Sequence, residues 1–344
     1  MLVAMSGGVD SSVAALLSGP QAVGVTLELW ADPENDAEGS CCSAVAVRRA
    51  RGLAHERGMP HFSIDLRAEF RAGVVEPWLA GHAAGLTPNP CVACNGRVRL
   101  HGMLDIAQRL GAEALATGHY ARIESGLLRV AADPDKDQSY MLAALPPAQL
   151  RRVRFPLGEL RKGEVRERAR TAGLTVADAP DSQDLCFLAG TGRRRFLERH
   201  GGLAAAPGEV IDRRGTVLAR HEGAHLFTVG QRRGLGLGGG PTRYVLATDP
   251  LARTVTVGSR EELATRAISV RDAVLHRHGS CVDHVRLRYH SLPIPCQIHA
   301  PAGRHAQLEV TLLARAGAPA PGQSACLMAG ELIVGEGTIS ARAR

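Results

Sequence analysis

Apolar positions follow two different rhythms along the chain. In the first half, short apolar runs alternate with segments of helical period. Leu2–Met5, Ala22–Leu29, His61–Asp65 and Ala114–Thr117 read as strands, and Ser11–Leu17, Ala44–Arg57, Arg67–Ala84 and Arg97–Leu110 as helices. That alternation predicts an α/β domain, a parallel sheet covered on both faces, with ligands bound beyond the carboxyl ends of its strands. Asp32–Ser40 is acidic and poor in apolar residues, a surface loop. Pro146–Pro147 opens a new region, and Lys162–Ala172 and Arg193–His200 read as charged helices. From about Pro207 the rhythm changes to short alternating runs split by glycine: Glu209–Asp212, Thr216–Ala219, Tyr244–Thr248 and Thr254–Val257. After these come Ile268–Val270, Val285–Tyr289, Cys296–Ala300, Gln307–Leu313, Ala325–Met328 and Ile333–Ile339. Evenly spaced short strands of this kind predict a small barrel or sandwich.

With 344 residues the chain has room for two or three domains. An apolar share of 45% against 22% charged residues excludes wholesale disorder. No run approaches the about 18 apolar residues of a membrane span, and no signal peptide opens the chain. The expectation is a cytoplasmic protein without a membrane partner, whose eight cysteines are more often buried, metal-bound or reactive than bridged. The net charge of +7 suits a nucleic-acid partner and equally a soluble enzyme with surplus arginine.

Ser6-Gly7-Gly8-Val9-Asp10-Ser11-Ser12 lies between the first strand and first helix. The glycines let the backbone turn and approach a ligand closely, and the helix N-terminus favours an anion. Neither a Walker loop nor a dinucleotide fingerprint is present. Instead the string resembles the loop of the ATP pyrophosphatases, which cleave ATP between its α and β phosphates.

Two thiols narrow the choice. Thr87-Pro88-Asn89-Pro90-Cys91-Val92-Ala93-Cys94-Asn95 joins a stiff proline loop to the expected start of a helix, where a thiol at Cys94 would have its pKa lowered. Asp181-Ser182-Gln183-Asp184-Leu185-Cys186-Phe187 supplies the second. With Ala116–Arg122 (ATGHYAR), Asp135–Tyr140 (DKDQSY) and Phe227–Gly236 (FTVGQRRGLG), these motifs resemble, in order and over most of the chain, the tRNA-specific 2-thiouridylase family. The resemblance implies a catalytic ATP pyrophosphatase domain over 1–190, a central β-rich domain over 191–262 and a C-terminal β-barrel domain over 263–344. It implies ATP-dependent 2-thiolation of the wobble uridine of tRNA, with Mg²⁺ beside the ATP and a persulfide-carrying protein as sulfur donor.

Residue by residue, it implies that Ala4, Met5, Ser6, Gly7, Gly8, Val9, Asp10 and Ser11 hold the ATP phosphates, while Leu27 and Gly118 border the adenosine. Cys94 would be the nucleophile and transient disulfide partner of Cys186, the persulfide carrier. Asn89, Pro90 and Cys91 would touch the target base, and Lys136, Asp137, Gln138, Arg288 and Tyr289 the tRNA. Asp10 could place the metal or simply cap its helix. The chain departs from the family at Cys91, where many members carry Asp, and at Gly96, where a basic residue is common. An Asp usual after Cys41-Cys42 is absent from Ala44–Arg51.

Three alternatives stay open. Cys91, Cys94 and Cys186 could hold an iron–sulfur cluster, as in some RNA thiolases. A related ATP pyrophosphatase could act on a small metabolite. A non-catalytic RNA-binding or redox-sensing protein is a third. Arg193-Arg194-Arg195, Arg232-Arg233 and Arg286 could meet phosphates, and His119 or Tyr120 could stack on a flipped base. Cys41 and Cys42 read as a loop pair, and Cys281, Cys296 and Cys326 as core or surface thiols.

Overall fold

The computed structural model describes residues 1–32, 44–181, 185–188, 190–317 and 319–341. Cys41, Cys42 and Ser182–Asp184 lie outside the described residues. The chain divides into two units, one of Met1–Val75, Cys91–Gly192 and Glu331–Ile333, the other of Glu76–Pro90, Arg193–Gly330 and Val334–Arg344. Among the described residues no helix is long and apolar enough to cross a membrane.

The first unit is built on strands β1 (Leu2–Ala4), β2 (Val23–Glu28), β3 (His61–Asp65), β4 (Leu115–Ala116), a hairpin of β5 (Arg122–Glu124) and β6 (Leu127–Arg129), and β7 (Val153–Arg154). The described strands of its parallel sheet run in the order β3-β2-β1-β4-β7, so the first strand is central. Leu2, Val3 and Leu115 are at most 1% exposed, which is why the central strands read as unbroken apolar runs. Helix α1 (Val9–Leu17) starts two residues earlier than its apolar period suggests, and α2 is Ala44–His55. Val13 and Ala14 of α1 share a core with Val3 and Ala116 of the sheet, Ala50 of α2, and Val165 and Ala169 of the helix Lys162–Thr171.

The segment expected as one helix over Arg67–Ala84 is instead a helix at Arg67–Phe70, a wide π turn at Arg71–Val75 and a helix at Glu76–Ala83. A second π turn, Cys94–Arg99, joins Pro90–Ala93 to Leu100–Arg109. The two turns meet at Gly73, where a Cβ would lie 2.8 Å from Val98 Cγ2. Phe70, just before the first π turn, packs edge-on against Phe187 at 5.8 Å and lies 6.4 Å from Trp30. The β5–β6 hairpin turns through Ser125 and Gly126, both at positive φ, as a tight two-residue hairpin requires.

In the second unit a sheet of order β10-β11-β8-β9 is formed by β8 (Gly208–Ile211), β9 (Val217–His221), β10 (Tyr244–Asp249) and β11 (Thr254–Gly258). Val210, Val245, Val255, Val257 and Phe227 fill its core. The remaining strands are β12 (Ala264–Leu275), β13 (His284–Arg286), β14 (Ile294–Gln297), β15 (Gly303–Gly317), β16 (Ser324–Ala329) and β17 (Leu332–Ile339). They run β12-β15-β14-β13-β16-β17, and β12 pairs back onto β17 to close a barrel. Strands β12 and β15 are far longer than expected: the ends of β15 are largely exposed and carry little alternation, and an exposed Arg271-Asp272 pair interrupts the alternation of β12. The helix Glu76–Ala83 also belongs here, its Trp78 packed edge-on against Phe196 at 5.8 Å.

Phe70 is fully buried, and Phe70→Ala would leave a cavity. Urea unfolding should show a loss of about 3–5 kcal/mol. A loss below about 1 kcal/mol would mean that the aromatic cluster does not anchor these turns.

Candidate active site

The glycine–serine loop follows the end of β1, where the half-buried Ala4 gives way to Met5, whose N–H donates to the Val25 carbonyl at 2.8 Å. Gly7 turns at φ +75°, and a Cβ there would sit 2.9 Å from the Ala46 carbonyl oxygen of α2. The position therefore excludes other residues twice over, by conformation and by space. Gly8 caps α1, and the first helical bond is Ser12 N–H to its carbonyl at 3.1 Å. The N–H groups ahead of it have no partner within the helix, which makes this turn an anion cradle. The serines brace the loop itself. Ser11 Oγ accepts from the Ser6 N–H at 3.1 Å and donates to the Gly8 carbonyl at 3.0 Å, and Ser12 Oγ donates to the same carbonyl at 2.9 Å.

Asp10, in the first turn of α1, receives two donors. Tyr120 Oη–H reaches its Oδ1 at 2.8 Å, and Lys162 Nζ lies 2.7 and 2.8 Å from its two oxygens. Burial and then the Asp10 charge push the Tyr120 hydroxyl well above its ordinary value, so it stays a donor. Tyr120 is 2% exposed and is not available to stack on a base, contrary to that expectation. Gly118 is pressed against the same turn: a Cβ would lie 2.8 Å from Ser11 N. His119 between them is neutral, held down to about 3 by burial and then by Arg99. Leu27, 7% exposed, lies near the carboxyl end of β2.

Lys162 also pairs with Asp181 at 2.8 Å. Lys136 and Arg166 meet the same carboxylate at 2.8 and 3.1 Å. Burial alone would raise the Asp181 pKa, but the hydrogen bonds and charges of Lys136 and Lys162 hold it down to about 2. Asp137 turns inward, 5% exposed, accepting from the N–H of Ala131 at 3.0 Å and from the Ser139 hydroxyl at 2.9 Å. Its carboxylate shapes the turn that carries Lys136 and Gln138. Gln138 Oε1 accepts the Tyr120 N–H at 3.0 Å.

Cys94 is buried, while Cys91 and Cys186 are half-buried. The helix begins at Pro90, not near Asn95 as expected. Cys94 therefore opens the π turn one helical turn further in, where the end of the dipole acts less strongly. Asn95 Nδ2 donates to the Met141 carbonyl at 3.2 Å. Gly96, which replaces the more usual basic residue, is required by packing: a Cβ would be 2.6 Å from that of Ala144. Phe187, next to Cys186, rests on Phe70, whose π turn packs on the one that Cys94 opens. Cys186 thus adjoins the aromatic cluster directly, and Cys94 is linked to it through the packing of the two π turns. Among the described residues no group of three or more His, Cys, Asp and Glu could hold a metal, so the Cys91–Cys94–Cys186 cluster site is not formed.

In the second unit, Asn89 is half-buried and Pro90 buried. Arg288 is exposed in the turn after β13, where the Tyr289 ring lies 3.8 Å from that of His290. Arg193 donates to the Leu226 carbonyl, and Arg194 pairs with Glu198 and Glu222, so these two are engaged within the unit. Arg232 and Arg233 are exposed.

Sequence reasoning overlooked Lys162, Arg166 and the inward role of Tyr120. One signal was present: a lysine in the first turn of a helix opposes the dipole and needs a carboxylate nearby.

A central-strand loop shaped to receive an anion at a helix N-terminus, on a parallel sheet, makes the first unit a nucleotide-type α/β domain. A family model described as tRNA methyl transferase HUP domain matches residues 1–190. Models described as tRNA methyl transferase PRC-barrel domain and aminomethyltransferase beta-barrel domain match 194–259 and 261–339. The chain is 42% identical over its full length to the tRNA-specific 2-thiouridylase MnmA of Thermobifida fusca, covering 96% of that protein. It is 45% identical to the bifunctional protein NifU/MnmA of Rubrobacter xylanophilus, over 99% of this chain and 70% of that one. The chain belongs to the tRNA-specific 2-thiouridylase family.

Gly118→Ala should cost about 1–3 kcal/mol in thermal or urea unfolding, because the start of α1 must move. An unchanged protein would contradict the close approach. Asp181 makes an acid-side prediction. Its pKa is lowered on folding from the usual 3.8 to about 2, so its stabilisation is present above about pH 4 and is lost as the pH falls toward 2. The gap in unfolding free energy between the native chain and Asp181→Asn should be flat above that range and close below it.

Proposed function

We propose that this protein converts the C2 carbonyl of the tRNA wobble uridine to a thiocarbonyl, using ATP to activate the oxygen and a cysteine persulfide to deliver sulfur. The observation that carries the reading is the join between two kinds of chemistry within one unit. The anion cradle is tied through Asp10, Lys162 and Asp181 to the segment that leads to Cys186, and the Phe70 cluster ties the flanks of Cys186 and Cys94 to each other.

The uracil C2 oxygen is a poor leaving group. Its attack on the α-phosphorus of ATP forms a C2–O–P bond and breaks the bond to the β-phosphate, releasing pyrophosphate. The N–H groups at the start of α1 stabilise the charge that develops there. Magnesium, when bound with ATP, neutralises polyphosphate charge. It needs only one or two carboxylates, since phosphates and water supply its other ligands. Asp10 fits that need, for its carboxylate already accommodates a cation, the Lys162 ammonium.

The terminal sulfur of a Cys186 persulfide then attacks C2, and AMP leaves with the former carbonyl oxygen. Attack of the Cys94 thiolate on Cys186 Sγ breaks the persulfide S–S bond, frees 2-thiouridine and leaves a Cys94–Cys186 disulfide. A dithiol reductant resets the pair, and a persulfide-carrying protein reloads Cys186. Ala4 to Ser11, Leu27 and Gly118 are assigned to the nucleotide, and Asn89, Pro90 and Cys91 to the target base. Lys136 and Gln138 in the first unit and Arg288 and Tyr289 in the second are assigned to the tRNA. With aromatics at 3% of the chain, tRNA binding rests on phosphate contacts and shape, and weakens as salt rises.

Mass spectrometry of tRNA nucleosides tests the reading. The native chain with ATP and a persulfide donor should form 2-thiouridine at the wobble position. Cys94→Ser and Cys186→Ser should each fall to the background without enzyme while ATP binding persists. Wild-type rates in both variants would end the two-thiol mechanism.

A further inference from the structure

Lys162 is assigned no role by the chemistry above, yet it is the best-placed cation in the first unit. It is the first residue of its helix, fixed by two backbone contacts: its N–H donates to Asp133 Oδ2 at 2.8 Å, and the preceding Arg161 N–H to Glu164 Oε2 at 2.6 Å. That helix packs on α1, and the Lys162 side chain is only 12% exposed, so its ammonium is held at the start of α1. Its nitrogen sits 2.7 Å from Asp10, in the first turn of the helix whose N–H groups form the anion cradle.

We propose that Lys162 is a phosphate-binding residue for the nucleotide. Its ammonium swings from Asp10 to the β- and γ-phosphates of ATP and stays with the departing pyrophosphate. The proposal rests on the reading of the site as an ATP-activating one. Two observations support it. A carboxylate in the turn that receives a polyphosphate repels it unless a cation stands between them, and Lys162 is the cation the chain itself provides. The exchange strands no charge: Asp181 keeps Lys136 and Arg166, and Asp10 keeps the Tyr120 hydroxyl and the position that suits magnesium. A lysine suits the task because its charge is compact and its stem flexible, whereas a guanidinium would lock onto Asp10 in a fork.

The test compares two ligands that share the adenosine moiety. Lys162→Met keeps the apolar stem and removes the charge. Calorimetric titration should show adenosine bound within about twofold of the native affinity and ATP bound about 10- to 100-fold more weakly. Pyrophosphate release in the presence of tRNA should fall as well. Lys162→Gln, which can still hydrogen-bond both aspartates, should show the same ATP-selective loss and serves if the Met variant does not fold. Native ATP affinity in a folded variant would overturn the proposal. An equal loss for ATP and adenosine would also overturn it, since that is what a purely structural bridge predicts. The outcome is independent of thiolation: a native chain that binds ATP through Lys162 but forms no 2-thiouridine would refute the functional reading and leave this one standing.

Discussion

The first turn of α1 is the constraint from which the rest of the first unit follows. A carboxylate at that place is favoured by the helix dipole, but it is half withdrawn from water and so must be matched. Tyr120, Lys162 and, through Lys162, Asp181 supply the match from three segments far apart in sequence. Exposed ion pairs contribute little, yet this network is mostly sheltered, and removing one member leaves a partner without its counter-charge. Gly118 belongs to the same arrangement, because Tyr120 reaches Asp10 only if the chain two residues earlier passes within contact of Ser11 N. Two residues of the ATGHYAR string thus have a local cause: a glycine for approach and a tyrosine for the hydrogen bond.

A second constraint is scarcity. The chain has six phenylalanines and two tryptophans, and it concentrates them. Trp30, Phe70 and Phe187 make one cluster, Trp78 and Phe196 another. The first of these includes Phe187, the neighbour of Cys186, and Phe70, which leads into the π turn that packs on the one Cys94 opens. Rigid rings with few torsions hold a segment at small entropic cost. Tyr120, suited to stacking by type, is turned inward by its hydrogen bond to Asp10 and is buried instead.

The central strands were legible because a strand buried on both faces leaves an unbroken apolar run, and the half-buried edge strand His61–Asp65 also matches its expected bounds. Cys94 shows where legibility stopped. Pro90 was read as part of a stiff loop, but proline is equally suited to open a helix, and it does so here. The π turns were invisible because each adds a residue without altering the apolar character of its neighbours, as at Val74 and Val75. Lys162 and Asp10 are 152 positions apart, and Lys136 and Asp181 are 45 apart. No periodicity carries such pairings; they exist only once the helix Lys162–Thr171 has packed on α1.

The surplus charge of the whole chain has to be read in the same way. A run such as Arg193-Arg194-Arg195 suggests a phosphate-binding face, but Arg193 is drawn inward to the Leu226 carbonyl, where burial lowers its pKa, and Arg194 is neutralised by two glutamates. Arg232, Arg233 and Arg288 are exposed instead. Counterion release scales with the charges that actually meet phosphate, not with the net charge of the polypeptide. The +7 total therefore overstates some clusters and understates single residues. Lys162 is the clearest case: it adds one unit to the sum, lies mostly out of solvent, and faces the first turn of α1, whose free N–H groups favour an anion.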